Sequence, residues 1–177
     1  MNRNWILVAL LLFPVECLAQ PGKTKCVTAS PTVDTGGAYA SGELIGGELT
    51  FTNILDKNVG SAHITSISIA DKASQAIDLD LEISRSSLTG TTFTDQAALD
   101  IADADLSKII AIVSFGSAQR FAFADNGLKY LGSLALAVQT PNASTPSGTL
   151  YGAVIARGAY TGASASDLAV TVCVAQD

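Results

Sequence analysis

The heptapeptide IDLDLEI, residues 77–83, alternates apolar and acidic side chains without an error. Ile77, Leu79, Leu81 and Ile83 fall on one side of an extended chain and Asp78, Asp80 and Glu82 on the other, so the stretch reads as a half-buried β-strand with one wet face. The same period recurs on both sides of it. ELTFTN (48–53) alternates, and HITSISIA (63–70) places Ile64, Ile67 and Ile69 near one face with a slip between the first two that predicts a bulge. Further strands are read at IIAIVSF (109–115), YLGSLALAV (130–138), TLYGAVIA (149–156) and LAVTVCVA (168–175), and TKCVTA around Cys26 has a strand-like context. Between them lie VDTGGAYASG, LDKNVGS, SRSSLTGT, ADNG and TPNASTPSG, all rich in turn residues. About eight strands joined this way predict an all-β fold, an antiparallel β-sandwich or jelly roll.

One segment departs from period two. In TTFTDQAALDIADADLSKIIAIVSF (91–115), Ala97, Ala98, Leu99, Ile101, Ala102 and Leu106 make an apolar stripe at roughly helical spacing after Thr94 or Asp95 as an N-cap. The reading is one short helix at about 95–107, with Asp103 able to cap a second turn that ends at Lys108. Asp100, Asp103 and Asp105 lack the spacing of a calcium loop, and Leu106 stands where such a loop needs glycine. They are read as caps and surface charge, with a weak divalent-ion site as the lesser alternative; no metal site is expected.

The chain has 177 residues and a net charge of −6, and its 10 basic residues are scattered. A body of this size buries an ordinary single core, and a scattered minority of cations offers no footprint for a phosphate backbone, so nucleic acid is not expected as a partner. Trp5 to Phe13 is an apolar run that is too short to cross about 30 Å of hydrocarbon, and Cys17 and Ala19 occupy the −3 and −1 places of a signal-peptidase site. Residues 1–19 are therefore read as a signal peptide and 20–177 as a single β-sandwich domain, exported to the periplasm or outside the cell, with no membrane partner after leader cleavage. Acylation of Cys17 is disfavoured by Glu16 directly before it. An uncleaved anchor is the remaining alternative.

Once the leader is gone, two cysteines remain, Cys26 and Cys173, near the two ends of the chain. In an oxidising compartment an even pair favours a disulfide, which would make the first and last strands neighbours; two unpaired buried thiols are the alternative.

Catalytic equipment is sparse, and the chain is read as not an enzyme, with no cofactor. The single histidine, His63, opens a strand and has no motif around it. A carboxylate pair for glycoside hydrolysis could be drawn from Asp78, Asp80 and Glu82, but their i, i+2 spacing is what any wet strand face has. Gly46-Gly47 reads as a bend or bulge within a strand, and Asn142 carries a formal glycosylation sequon. The sole tryptophan departs with the leader, which leaves tyrosines and phenylalanines as candidate sugar platforms. Tyr39 and Tyr160 sit in Gly/Ala/Ser loops and are read as contact-loop residues, for binding or for subunit contact.

A resemblance runs through most of the chain. VTASPTVDT (27–35), AYASGELIGGELTFTN (38–53), ITSISIADKASQAIDLDLEI (64–83), TTFTDQAALDIADADLSKIIAIVSF (91–115) and GTLYGAVIARGAYTGASASDLAVTVCVAQD (148–177) together look like a group of small proteins encoded by tailed bacteriophages and prophages among their virion genes. The resemblance implies a virion structural protein, a capsid decoration or head or tail surface component, whose partners are other virion proteins and further copies of itself. The exported leader and the cysteine pair depart from that group. They are read as marks of a phage protein routed to the periplasm, a membrane-associated virion component, or a cellular protein that has adopted a phage-derived sandwich; the rival reading from another class is an exported binding module for glycan or cell-surface adhesion.

Overall fold

In the computed structural model of the chain, the residues described are 22–56, 61–138 and 148–176. The expected leader and cleavage point, and Asn142, lie outside them. The described residues form ten strands: β1 (Lys23–Ala29), β2 (Leu44–Phe51), β3 (Ala62–Asp71), β4 (Leu79–Ser84), β5 (Ile109–Phe115), β6 (Arg120–Ala122), β7 (Gly127–Leu131), β8 (Leu136–Val138), β9 (Leu150–Ala156) and β10 (Leu168–Gln176). Two 3-10 helices, Asp103–Lys108 and Ser117–Gln119, punctuate the chain around β5.

All pairings are antiparallel. One sheet runs β1-β10-β3-β7-β6, with β8 also on β3, and the other runs β2-β9-β4-β5. Leaving aside the three-residue strands β6 and β8, each successive strand changes sheet except at β4 to β5. That alternation, with the two sheets ordered β1-β10-β3-β7 and β2-β9-β4-β5, is the double Greek key of a jelly roll. Alternate side chains of the two sheets meet in one core that includes Ile45, Phe51, Ile67, Ile69, Leu81, Ile83, Phe115, Val154, Val170 and Val172.

Two irregularities fall where the sequence slips. Opposite β10 the register steps from Cys173↔Ser66 to Val174↔Ile64, so Thr65 is the extra residue, and its hydroxyl donates to the Cys173 carbonyl at 3.2 Å. In β2 the register breaks between Ile45 and Leu49, around Gly46 at φ +74°. The expected strand at 130–138 divides into β7 and β8, which pair with separate halves of β3 on either side of Ser133, at φ +57°.

The helix expected at about 95–107 is shorter and of another kind. Gln96 has φ +58°, and the backbone of 96–98 pairs with the edge of β2: Leu44 N–H donates to Ala97 at 2.9 Å, and Gln96 N–H donates to Leu44 at 3.1 Å. Only Asp103–Lys108 is helical, and its N-cap, Ala102, offers no side-chain cap. Backbone pairing with a sheet edge has overridden a helical stripe of apolar residues.

Candidate functional site

The two cysteines face each other in the β1–β10 ladder and are joined, with their Cα atoms 4.0 Å apart. The first and last strands are neighbours through this bond.

Tyr39 and Tyr160 are not exposed contact residues. Their loops pair with each other through Tyr39 N–H to Tyr160 O at 2.8 Å and Tyr160 N–H to Tyr39 O at 3.1 Å, and both rings are fully buried with centroids 6.0 Å apart. Each hydroxyl is engaged. That of Tyr39 accepts from Asp34 N–H at 2.6 Å, and that of Tyr160 donates to Asp71 at 3.1 Å. Burial raises the Tyr39 hydroxyl to about 12. Burial and the neighbouring Asp71 carboxylate hold that of Tyr160 protonated as well.

The acidic face of β4 is largely covered. The connection 85–108 leaves β4, runs along β2 and returns to β5. Glu48 accepts from Ser87 Oγ at 2.7 Å and Leu88 N–H at 2.9 Å, and Asp95 accepts from Gly46 N–H at 2.7 Å. The returning limb is tied to the outgoing one by Asp105, which accepts from Gly90 N–H and Thr91 Oγ1, each at 2.9 Å, and from Lys108 Nζ at 2.7 Å. Lys108 holds the Asp105 carboxyl below its ordinary range. Asp105 thus works as a structural clasp, whereas the sequence places it among caps and surface charge.

Beneath this strap Glu82 is 1% exposed, and Leu44, Leu88, Ala153 and Ile155 are buried beside the main core. Among the described residues neither carboxyl oxygen of Glu82 makes a well-formed hydrogen bond, and nor does Ser84 Oγ. Burial pushes the Glu82 carboxyl up to about 7; the nearby Ser84 hydroxyl opposes the rise and the Glu48 carboxylate adds to it. Of the three acids, only Asp78 lies on open surface, where it accepts from Ser117 N–H at 2.6 Å; Asp80 pairs with Arg157 at 2.6 Å. A carboxyl titrating near neutrality is the form a general acid takes. Glu82, however, has no access to solvent, and Asp78 and Asp80 are each committed to a structural partner.

A buried cation is Lys129 on β7, opposite Arg120 on β6. Its Nζ has no hydrogen-bond partner among the described residues, and burial lowers its affinity for the proton. His63 lies half-buried in β3 between Ala175 and Ala137. Among the described residues no group of three His, Cys, Asp or Glu is gathered to hold a metal ion, and no helix is long and apolar enough to cross a membrane.

In contrast to the strapped sheet, the outer face of the six-stranded sheet is left open by the described residues. Its middle is small and uncharged: Thr28 and Thr171 share a 2.7 Å hydroxyl contact, and Ser66, Ser68 and Ala70 follow on β3. At one side the β6–β7 hairpin adds rings. Phe121 lies opposite Leu128, and strand alternation puts Tyr130 and Phe123 on the same side, at 61%, 47% and 59% exposure for Phe121, Tyr130 and Phe123. Phe121, Phe123 and Tyr130 are thus the large exposed aromatic rings among the described residues, and they stand on a charge-free sheet face. The sequence marks the hairpin as FAF and LKY around the ADNG turn, but only the sheet order tells that this face is uncovered. No protein-family model matches the chain, and no curated protein is detectably similar to it.

Proposed function

We propose that the chain is a structural protein of a bacteriophage virion, a capsid decoration or head or tail surface component that acts by repeated protein–protein contacts. The observation that carries this reading is the open aromatic face of Phe121, Phe123 and Tyr130 beside an uncharged sheet surface. Buried aromatic anchors dominate association energies, and symmetric repetition turns modest interfaces into high avidity. The jelly-roll strand order agrees with it at the level of fold analogy, since capsid domains use that order. Export fits the Cys26–Cys173 disulfide, a bond that oxidising compartments preserve. The test is intact-mass analysis of purified particles and of the periplasm of the producing cells. A particle-bound species of fixed stoichiometry is expected, and the double variant Phe121→Ser/Tyr130→Ser should reduce its occupancy tenfold or more, roughly the effect of losing one interface anchor.

The second reading is an exported module that binds glycan. The same rings lie beside the Ser68 and Thr171 hydroxyls, a pairing of stacking faces with hydrogen-bonding groups that suits a sugar. Saturable glycan binding by the monomer, together with absence from particles, would replace the first reading with this one.

A further inference from the structure

The β6–β7 hairpin carries two cations on the side away from its exposed rings. Arg120 and Lys129 stand directly opposite each other in the ladder, and alternation puts both on the face that Phe121, Leu128 and Tyr130 do not share. Lys129 is 1% exposed and its Nζ has no hydrogen-bond partner among the described residues; Arg120 Nε is likewise buried and unpartnered. The guanidinium is held in place. Its Nη2 donates to Ser74 O and to Ser74 Oγ, each at 2.7 Å, and it lies so close over Gly127 that a Cβ added there would stand 2.9 Å from Nε.

Such an arrangement is unfavourable in two ways. Like charges directly opposite on neighbouring strands repel, and a buried ammonium without a partner has lost its water with nothing in exchange. The nearest carboxylates do not repair this. Asp71 and Asp78 attract the Lys129 ammonium through space, but among the described residues neither forms an ion pair with Lys129 or Arg120. Asp71 is taken up by Ala73 N–H at 3.0 Å, Gln75 N–H at 2.7 Å and the Tyr160 hydroxyl, and Asp78 by Ser117 N–H. A buried polar group left open in a folded protein calls for an occupant.

We propose that Lys129 Nζ and Arg120 Nε form an anion site that takes a single ion of halide size. The two atoms select the charge, because both are donors only. Water could accept from both but would leave the positive charges uncompensated, whereas a halide accepts from both and cancels one of them. They also select the size. A phosphate brings further oxygens, which need donors that these two atoms do not supply. Gln119, adjacent to Arg120, has a buried and unpartnered side-chain oxygen, and a half-turn of its amide presents N–H groups in its place. An ion shared by β6 and β7 would brace the hairpin from its covered side, next in the chain to Phe121 and Tyr130, whose rings face solvent on the other. The inference goes beyond the virion reading and does not depend on it.

The experiment is thermal melting of the full chain as its host processes it, with sodium gluconate replaced stepwise by sodium chloride at constant ionic strength, and hydrogen exchange at both ends of the series. The wild-type Tm should rise saturably with chloride, by a few degrees at the plateau, and the β6–β7 amides should gain protection while those of β2 do not. Lys129→Met, which nearly keeps the volume and removes the charge, should melt at one temperature throughout the series. Should that variant fold poorly, wild-type crystals grown in bromide decide, and an anomalous peak within reach of both Lys129 Nζ and Arg120 Nε is expected. A flat wild-type series, a chloride dependence that Lys129→Met retains, or no bromide at that place overturns the inference. Particle occupancy is measured separately, so failure of the anion site and failure of the virion reading are distinguishable.

Discussion

Burying Glu82 beneath a backbone strap makes folding depend on pH in a direction opposite to that of a salt-bridged acid. Its ordinary value of 4.5 rises to about 7 in the folded protein. Below the lower value both states hold the proton and the group is neutral to stability. Between the two the unfolded chain releases a proton that the folded chain keeps, so stability falls as pH rises, and above about 7 the loss is complete. The loss amounts to at most about 3 kcal/mol. Glu82→Gln should therefore gain on wild type in urea denaturation as pH is raised from about 5 to about 8. Parallel profiles would show that the carboxyl titrates normally. Tyr160→Phe should cost about 1–2 kcal/mol at neutral pH, because it removes a donor from Asp71, a carboxyl already raised by burial; thermal melting against wild type checks it. Neither environment was legible in the sequence. Alternation in IDLDLEI correctly marks a strand, but a strap contributed by residues 85–108 decides whether its acidic side is wet. Composition places Tyr39 and Tyr160 in loops, yet it is the pairing of those loops, far apart in sequence, that buries the rings.

At the scale of elements, irregularities encoded locally were readable and those set by neighbours were not. The slip between Ile64 and Ile67 located the Thr65 bulge, and Gly46-Gly47 located the break in β2. The apolar stripe from Ala97 to Leu106 suggested a helix, since local spacing carries no information about the free edge of β2 that claims the backbone of 96–98. Gly46 offers a direct check on how tightly that region is built. At φ +74° an added Cβ would stand 2.9 Å from both Pro31 Cβ and Thr32 N, so the residue needs glycine for its conformation and for its clearance. Gly46→Ala should lower stability by more than about 1 kcal/mol, the usual cost of left-handed backbone alone. A melting temperature equal to wild type would mean that the bulge relaxes without resistance.

For the whole molecule, strand number follows from turns and alternation, but strand order does not, because it is a property of contacts between distant segments. The one long-range relation the sequence offered was the cysteine pair, and it anchors the order: β1, an edge strand, is fixed to β10, which passes it on to β3. The bond spans 147 residues and so restricts most of the unfolded chain. In the chain-entropy account its loss should cost roughly 2–5 kcal/mol. Two outcomes of reduction are distinguishable, because β1 contributes only Val27 and Ala29 to the margin of the core. If the bond acts on the unfolded ensemble, the Cys26→Ser/Cys173→Ser variant melts several degrees lower as a single cooperative transition, with exchange in β3, β4 and β9 accelerated alongside β1. If it serves only to pin the edge, β1 amides alone lose protection and the main transition stays in place. The first outcome is expected, since a crosslink of this span acts chiefly on the disorder of the chain it closes.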